Sequence, residues 1–290
     1  MLHVLRMSKY SLPLTCAIAL AACGHGDPAI VARDAMKTCG NESSDTKARI
    51  AACTTAISTG RLSEAEVSDA YWHRALAYSR LKDYQSACTD LDALILRQPN
   101  NAKALGERGW VRLHGSLRDN DNAIADLERS IRLDGGSYYA FGNLGDAYRT
   151  KHDFDRAEVS YGHAIDMGKG RTQGWADRCF ARAVIGKDLD AALADCNEAM
   201  KLTSKEPDSL FYVLSDRCFA QYRMKHYREA VQDCDAAIAH GGTFAGEFYV
   251  RGLAKRALGD AFASPDIDHA KKIDPKIAET YAGYGAPETP

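Results

Sequence analysis

No stretch of this 290-residue sequence is apolar for long enough to cross a membrane: the run from Leu12 to Ala22 falls well short of the roughly 20 residues that a spanning helix needs. Positive charge is not in surplus either. Lys and Arg number 37 against 39 Asp and Glu, a net charge of −2, so no basic field attracts nucleic acid. Also missing are His-Glu-x2-His, Gly-x-Ser-x-Gly, a glycine-rich phosphate loop and a paired acid with a fixed base. Those patterns carry metalloprotease, serine-hydrolase, nucleotide and acid-base chemistry. Cys-x2-Cys spacing is absent and the nine histidines are scattered, which argues against a zinc site. The expectation is a protein that is not an enzyme and uses no metal or cofactor.

What is present begins with cysteine. The chain is 46% hydrophobic and 26% charged, as a soluble globular or solenoid protein is, yet it carries nine cysteines, which points to an oxidising compartment. Its first residues supply the route there. Arg6 and Lys9 precede the apolar run, which ends in small residues as a secretory signal does. Leu20-Ala21-Ala22-Cys23 resembles the lipobox of bacterial lipoproteins. In that family the leader is cut before the cysteine and the thiol takes a diacylglyceryl group, which implies a signal peptide over 1–22 and lipidation of Cys23. An ordinary signal cleaved after Ala22 would leave a plain thiol instead, and Met7 is an alternative start. Gly24, where Asp would favour inner-membrane retention, implies by the same resemblance an outer-membrane lipoprotein of the bacterial cell envelope, facing the periplasm. Residues 23–27 become a tether whose last four residues reach at most about 14 Å.

From residue 68 onward the sequence repeats itself. The clearest copy runs from Tyr138 to Arg171. Phe141, Leu144 and Tyr148 fall three and four apart on one helix face; Ala157, Tyr161 and Ala164 do so on a second, with Lys151-His152-Asp153 as the polar turn. Small Gly145, Ala157 and Ala164 let the two helices approach, but a lone hairpin cannot bury its apolar face and needs neighbours. This spacing resembles the tetratricopeptide repeat. Six units follow, at 68–101, 102–137, 138–171, 172–206, 211–244 and 245–277, with every irregularity in a turn, where it costs little. Pro28 to Thr38 and Thr46 to Thr59 predict the helices of a degenerate amino-terminal capping repeat over 28–67, with 61–67 as a charged link. Ile277 to Tyr284 predicts a final capping helix, and 285–290 a disordered tail. The fold expected over 68–284 is all-α, a right-handed superhelical solenoid of about six tetratricopeptide hairpins with caps at both ends.

Two pairings recur in this frame. The seventh place of a unit is arginine and the twenty-third aspartate: Arg74 with Asp90, Arg108 with Asp126, Arg178 with Asp195, Arg217 with Asp233, Arg251 with Asp266. The third unit loses both together, to Leu144 and Ser160. Joint loss predicts structural ion pairs across each hairpin, the alternative being a row of ligand-binding arginines. The eighth and twenty-fourth places hold Cys179 with Cys196 and Cys218 with Cys234, close-packed facing places that predict disulfides; Cys39 and Cys53 predict a third in the amino-terminal cap. The plainer alternative is small core residues. Cys88 stands where no other unit has cysteine, and Cys16 leaves with the signal.

Tetratricopeptide proteins bind peptides or partner surfaces along a concave groove formed by their first helices. By resemblance, the second, fifth, ninth, twelfth and thirteenth places face that groove. Here they include Trp72, Arg80, Trp110, His114, Asp146, Arg149, Phe180, Phe219, Tyr222, Arg223, Tyr249 and Arg256. Aromatic side chains with arginine suit a protein-binding surface; packing between successive first helices is the competing use of the aromatics. Trp72 and Leu76 stand where the clamp for chaperone tails needs Lys and Asn, so a chaperone carboxy terminus is a poor ligand. The function expected is a lipid-anchored periplasmic adaptor for a protein or peptide partner, in envelope assembly or a related process. It touches the membrane only through its anchor and binds no nucleic acid. The alternative is a self-associating structural or stress-related envelope protein.

Overall fold

The computed structural model describes residues 26–115, 119–168, 171–260 and 263–288; the signal and Cys23 lie outside them. Two compact units divide the chain after Pro99. In the first lie α1 (Pro28–Cys39), α2 (Thr46–Ser58), α3 (Glu64–Arg80) and α4 (Tyr84–Arg97). The second holds α5 (Ala102–His114), α6 (Asn120–Asp134), α7 (Tyr138–Thr150), α8 (Phe154–Met167), α9 (Thr172–Ile185), α10 (Leu189–Leu202), α11 (Leu210–Arg223), α12 (Tyr227–Ala239), α13 (Ala245–Ala257), α14 (Ala263–Ile273) and α15 (Ile277–Gly283). Among the described residues there is no strand, and within each unit helices pair as consecutive hairpins packed on the next in chain order.

Local chemistry explains where the helices begin. Asp27, Asp45, Asp83, Asp153 and Asp188 each accept a hydrogen bond from a first-turn amide, satisfying a donor the helix itself leaves open. In two hairpins the residue before the capping Asp has a left-handed backbone, Lys82 at φ 59° and His152 at φ 58°, which turns the chain within three residues. The charged link expected over 61–67 is shorter than that. Ser63 and Glu66 cap each other's backbone amides in a capping box, so α3 starts at Glu64.

Each hairpin from α3/α4 onward closes on two facing pairs. The first is ionic: Nε of Arg74, Arg108, Arg178, Arg217 and Arg251 donates to its aspartate at 2.7 to 2.8 Å, and Nη2 donates to the second carboxylate oxygen. The five aspartates are buried, so the two-pronged geometry is what makes their charge tolerable. In α7/α8 Leu144 and Ser160 take these places, and Ser160 Oγ donates back to Arg156 O at 2.8 Å.

The second pair trades size. Gly109 faces Leu127, Gly145 faces Tyr161 and Gly252 faces Ile267, so tightly that a Cβ on the glycine would come within 2.4 to 2.7 Å of the partner. Where cysteine replaces both members, the structure joins them. Cys179–Cys196 and Cys218–Cys234 have Cα separations of 5.4 Å, and Cys39–Cys53 in α1/α2 has 4.8 Å, all within the reach of a disulfide.

The carboxy terminus departs from expectation. α15 returns over α13 instead of only covering α14, and the tail beyond it is ordered as far as it is described: Ala286 is fully buried and the Glu288 carboxylate meets Lys271 Nζ at 2.6 Å. The reason is a bed of aromatic side chains on the first helices, which this segment covers.

Candidate binding groove

In the second unit the first helices α7, α9, α11 and α13 each place one carboxylate on a common floor: Asp146, Asp177, Asp216 and Glu247. Each feels the next. Burial, then the charge of Asp146, pushes Asp177 up to about 7, although Arg149 and the Gln173 amide, which donates to both its oxygens at 3.0 Å, pull downward. Asp216 is raised well above an ordinary aspartate by burial, then by Asp177 and Glu247. Burial also raises Glu247. Ser215 Oγ donates to Glu247 Oε1 at 2.6 Å, while the buried Oε2 has no donor within reach.

The nearest counter-charge is Arg149. Its Nη2 donates to Asp146 Oδ1 at 3.1 Å and its Nε to the Tyr161 hydroxyl at 3.2 Å, and that hydroxyl donates to Asp146 at 2.9 Å. One guanidinium thus serves several acids, and burial, with repulsion between neighbours at Asp177 and Asp216, raises the other three above ordinary carboxyls. Such a floor accepts hydrogen bonds and favours donors. Among the described residues no three acidic, histidine or cysteine side chains are grouped as an ion site would need.

The two ends of the floor differ. Over α7 and α9 it is open, a pocket of about 250 Å³ lined by Tyr138, Tyr139, Asp146, Arg171, Asp177 and Glu206. Tyr139 is 61% exposed, and the Arg171 guanidinium lies about 5 Å from both tyrosine rings. Over α11 and α13 the floor is covered. Tyr281 of α15 packs at 5.5 Å from Phe219 and 5.4 Å from Tyr249, and Tyr284 at 5.8 Å from Phe180 and 5.4 Å from Phe154.

The groove residues expected from sequence therefore divide. Asp146 and Arg149 reach the open floor; Trp110 stacks on the exposed His114 at 4.5 Å; Arg256 is exposed; Trp72 is half-buried and Arg80 exposed on α3 of the first unit. Phe180 and Tyr222 are half-buried. Phe219 and Tyr249 are buried, and Arg223 spends its guanidinium on the carbonyls of Ala183, Val184 and Tyr284. Those three are not offered to a ligand in this state, because α15 lies over them. Sequence reasoning missed Asp177, Asp216 and Glu247, which stand at the sixth and third places. The signal was an acid at the sixth place in three units, Glu107, Asp177 and Asp216.

Comparison with known proteins matches residues 68–101 to the tetratricopeptide repeat family model. Among solved structures, a tetratricopeptide repeat protein from Parabacteroides merdae superposes with a TM-score of 0.65 at 14% identity, over 88% of this chain and 99% of that one. Residues 68–101 match one tetratricopeptide repeat, and the fold is that of tetratricopeptide-repeat proteins. MamA from Desulfovibrio magneticus matches 62% of the repeat protein and 97% of its own length, with a TM-score of 0.54 and 20% identity. YrrB, described as a tetratricopeptide repeat protein with an unusual peptide-binding site, matches at 0.54 and 16%, over 69% of this chain and 97% of that one. At these identities the likeness is one of fold. A search of the curated proteins finds no match.

Proposed function

We infer that the repeat protein is a scaffold whose first-helix groove holds a segment of a protein partner, and that it works as a lipid-anchored component of the bacterial envelope, attached through Cys23. The observation that carries the first part is the groove itself. Tyr138 and Tyr139 stand beside a half-buried acidic floor whose charges the chain's own cations do not balance. Burial first, and repulsion between neighbours second, disfavour the ionised carboxylates there, and a partner that brings hydrogen-bond donors offsets that penalty. The described peptide-binding role of YrrB, a protein of the same fold, is consistent with this use. Support for the anchor comes from the leader and its Leu20-Ala21-Ala22-Cys23 motif, together with three disulfide pairs that need an oxidising compartment.

The test is photo-crosslinking in the cell from probes at Tyr139 and Trp110, followed by mass spectrometry. A dominant foreign protein among the adducts is expected. Adducts to a second copy alone would favour a self-associating structural protein instead. For the anchor, metabolic labelling with an alkyne fatty acid should mark the wild type and leave Cys23→Ser unlabelled; equal labelling of both would refute lipidation at that residue.

A further inference from the structure

The segment from Ile277 to Glu288 sits on the groove as a ligand would. Tyr281 enters at the Asp216 and Glu247 end, its hydroxyl so close to α13 that a Cβ on Gly246 would lie 2.5 Å from it. Tyr284, three residues on, meets Phe154, Phe180 and Phe219 edge to face. Its carbonyl accepts from Arg223. Four residues further, the Glu288 carbonyl accepts from Arg256 Nη1 at 2.8 Å and its carboxylate pairs with Lys271 at 2.6 Å. Between α11, α13 and this tail a pocket of about 340 Å³ stays open beside Tyr222, Lys225 and Arg256.

Three features separate this arrangement from a permanent cap. α15 has seven residues, too few to hold a helix unaided, so its order depends wholly on the groove. Its contacts are side chains and two carbonyls laid onto a surface, with Ala282, Gly283, Gly285 and Pro287 left exposed. The fit is also incomplete. Beside Tyr281 remains a partly open cavity of about 90 Å³ lined also by Phe180, Ser215, Asp216, Phe219 and Glu247, and the buried Glu247 Oε2 lacks a donor.

We propose that residues 277–288 are a built-in, displaceable occupant of the groove, and that the partner they exclude carries a segment of the same chemistry: two aromatic side chains three residues apart, then a carboxylate four residues further. This rests on the reading of the groove as a protein-binding site. The partner gains where the internal segment falls short, by filling the cavity and giving Glu247 its donor. Binding and release of α15 are then one equilibrium, and anything that weakens the segment raises the apparent affinity for the partner.

The experiment uses the full chain and a fluorescein-labelled peptide with the sequence of residues 277–288, followed by anisotropy. A variant carrying Tyr281→Ala and Tyr284→Ala should bind the peptide at least tenfold more tightly than the wild type. Adding Arg256→Glu should lose at least tenfold, and a peptide with both tyrosines replaced should not bind. A folded variant that takes up no peptide would overturn the proposal and make α15 a structural cap. Should the variant not fold, hydrogen exchange on the wild type decides. Amides of 277–288 are expected to exchange at least 100-fold faster than those of α13, and faster again with excess unlabelled peptide; equal protection of α13 and α15 would overturn it. A wild-type dimer that the peptide converts to monomer would replace the foreign partner with a second copy. Failure here leaves foreign adducts at Tyr139 intact, whereas failure of the groove reading removes them while the peptide still binds.

Discussion

Hairpins α7/α8 and α9/α10 are neighbours in the chain with nearly equal helices, yet different chemistry holds them shut. At the same two facing places α7/α8 has Leu144 with Ser160 and Gly145 with Tyr161, while α9/α10 has Arg178 with Asp195 and Cys179 with Cys196. One is closed by a ring packed on a glycine. The other is closed by an ion pair and a covalent bond. The difference bears on the groove, because in α7/α8 the large ring passes between the helices and its hydroxyl emerges beside Asp146 and Arg149 on the floor. The braces of α9/α10 stay inside the hairpin. The consensus-like repeat thus couples its core to the binding face, and the braced repeats keep the two separate.

Removing the braces should have the largest effect. Alanine at all four of Cys179, Cys196, Cys218 and Cys234 is expected to cost about 2 to 4 kcal/mol per bridge. Thermal unfolding would show this as a large fall in Tm; hydrogen exchange should place the loss in α9–α12 and spare α7/α8. A uniform loss would mean that the unit unfolds as one piece.

Next comes the glycine. A Cβ at residue 145 would lie 2.4 Å from the Tyr161 ring, so Gly145→Val should destabilise by about 3 kcal/mol. The sharper form of this test transplants one solution into the other: Gly145→Cys with Tyr161→Cys should form a bridge, seen as about two daltons lost beyond what the native bridges Cys39–Cys53, Cys179–Cys196 and Cys218–Cys234 account for, and recover stability. Failure to oxidise would show that α7/α8 has a spacing of its own.

Arg217→Ala should cost about 2 kcal/mol, since it strands Asp233, which is buried, while Arg217 itself keeps some exposure to water. Ser160→Ala in α7/α8 should change stability by less than about 0.5 kcal/mol. Equal effects would deny the ion pair its structural role.

An effect smaller than that of Arg217→Ala depends on pH. The folded-state pKa of Asp177 is raised to about 7, so the stability tied to its protonated form is fully present below pH 4 and lost as pH rises through 7. Asp177→Asn, which cannot ionise, should match the wild type near pH 4 and exceed it by about 1 to 2 kcal/mol at pH 8. Urea unfolding at the two pH values would check this; an equal difference at both would remove the electrostatic argument for the floor.

Much of the architecture was legible in order and spacing alone. Leu144, Tyr148 and Ala157 carry the helical period, and short-range capping sets most helix starts, because both depend on residues only a few positions apart. The start of α3 was misplaced because Ser63-x2-Glu66 was not weighed as a capping signal. Less of the groove was legible. Trp110, Asp146 and Arg149 were placed by register, but the sixth-place acids needed the rotation of each helix against its neighbour. Whether Phe219 and Tyr249 face water turned on a segment more than 30 residues away in the chain.

By itself, then, the order of residues determined that this chain is a set of helical hairpins, where most of them begin, and which arginine meets which aspartate, because all of these follow from local propensity and the repeat's own register. Only tertiary structure decided that Asp146, Asp177, Asp216 and Glu247 share a floor, and that Tyr281 and Tyr284 lie over one end of it. Those relations join residues in different hairpins. They depend on how helices stack and where a seven-residue helix finds apolar surface, and neither leaves a periodic trace in the sequence.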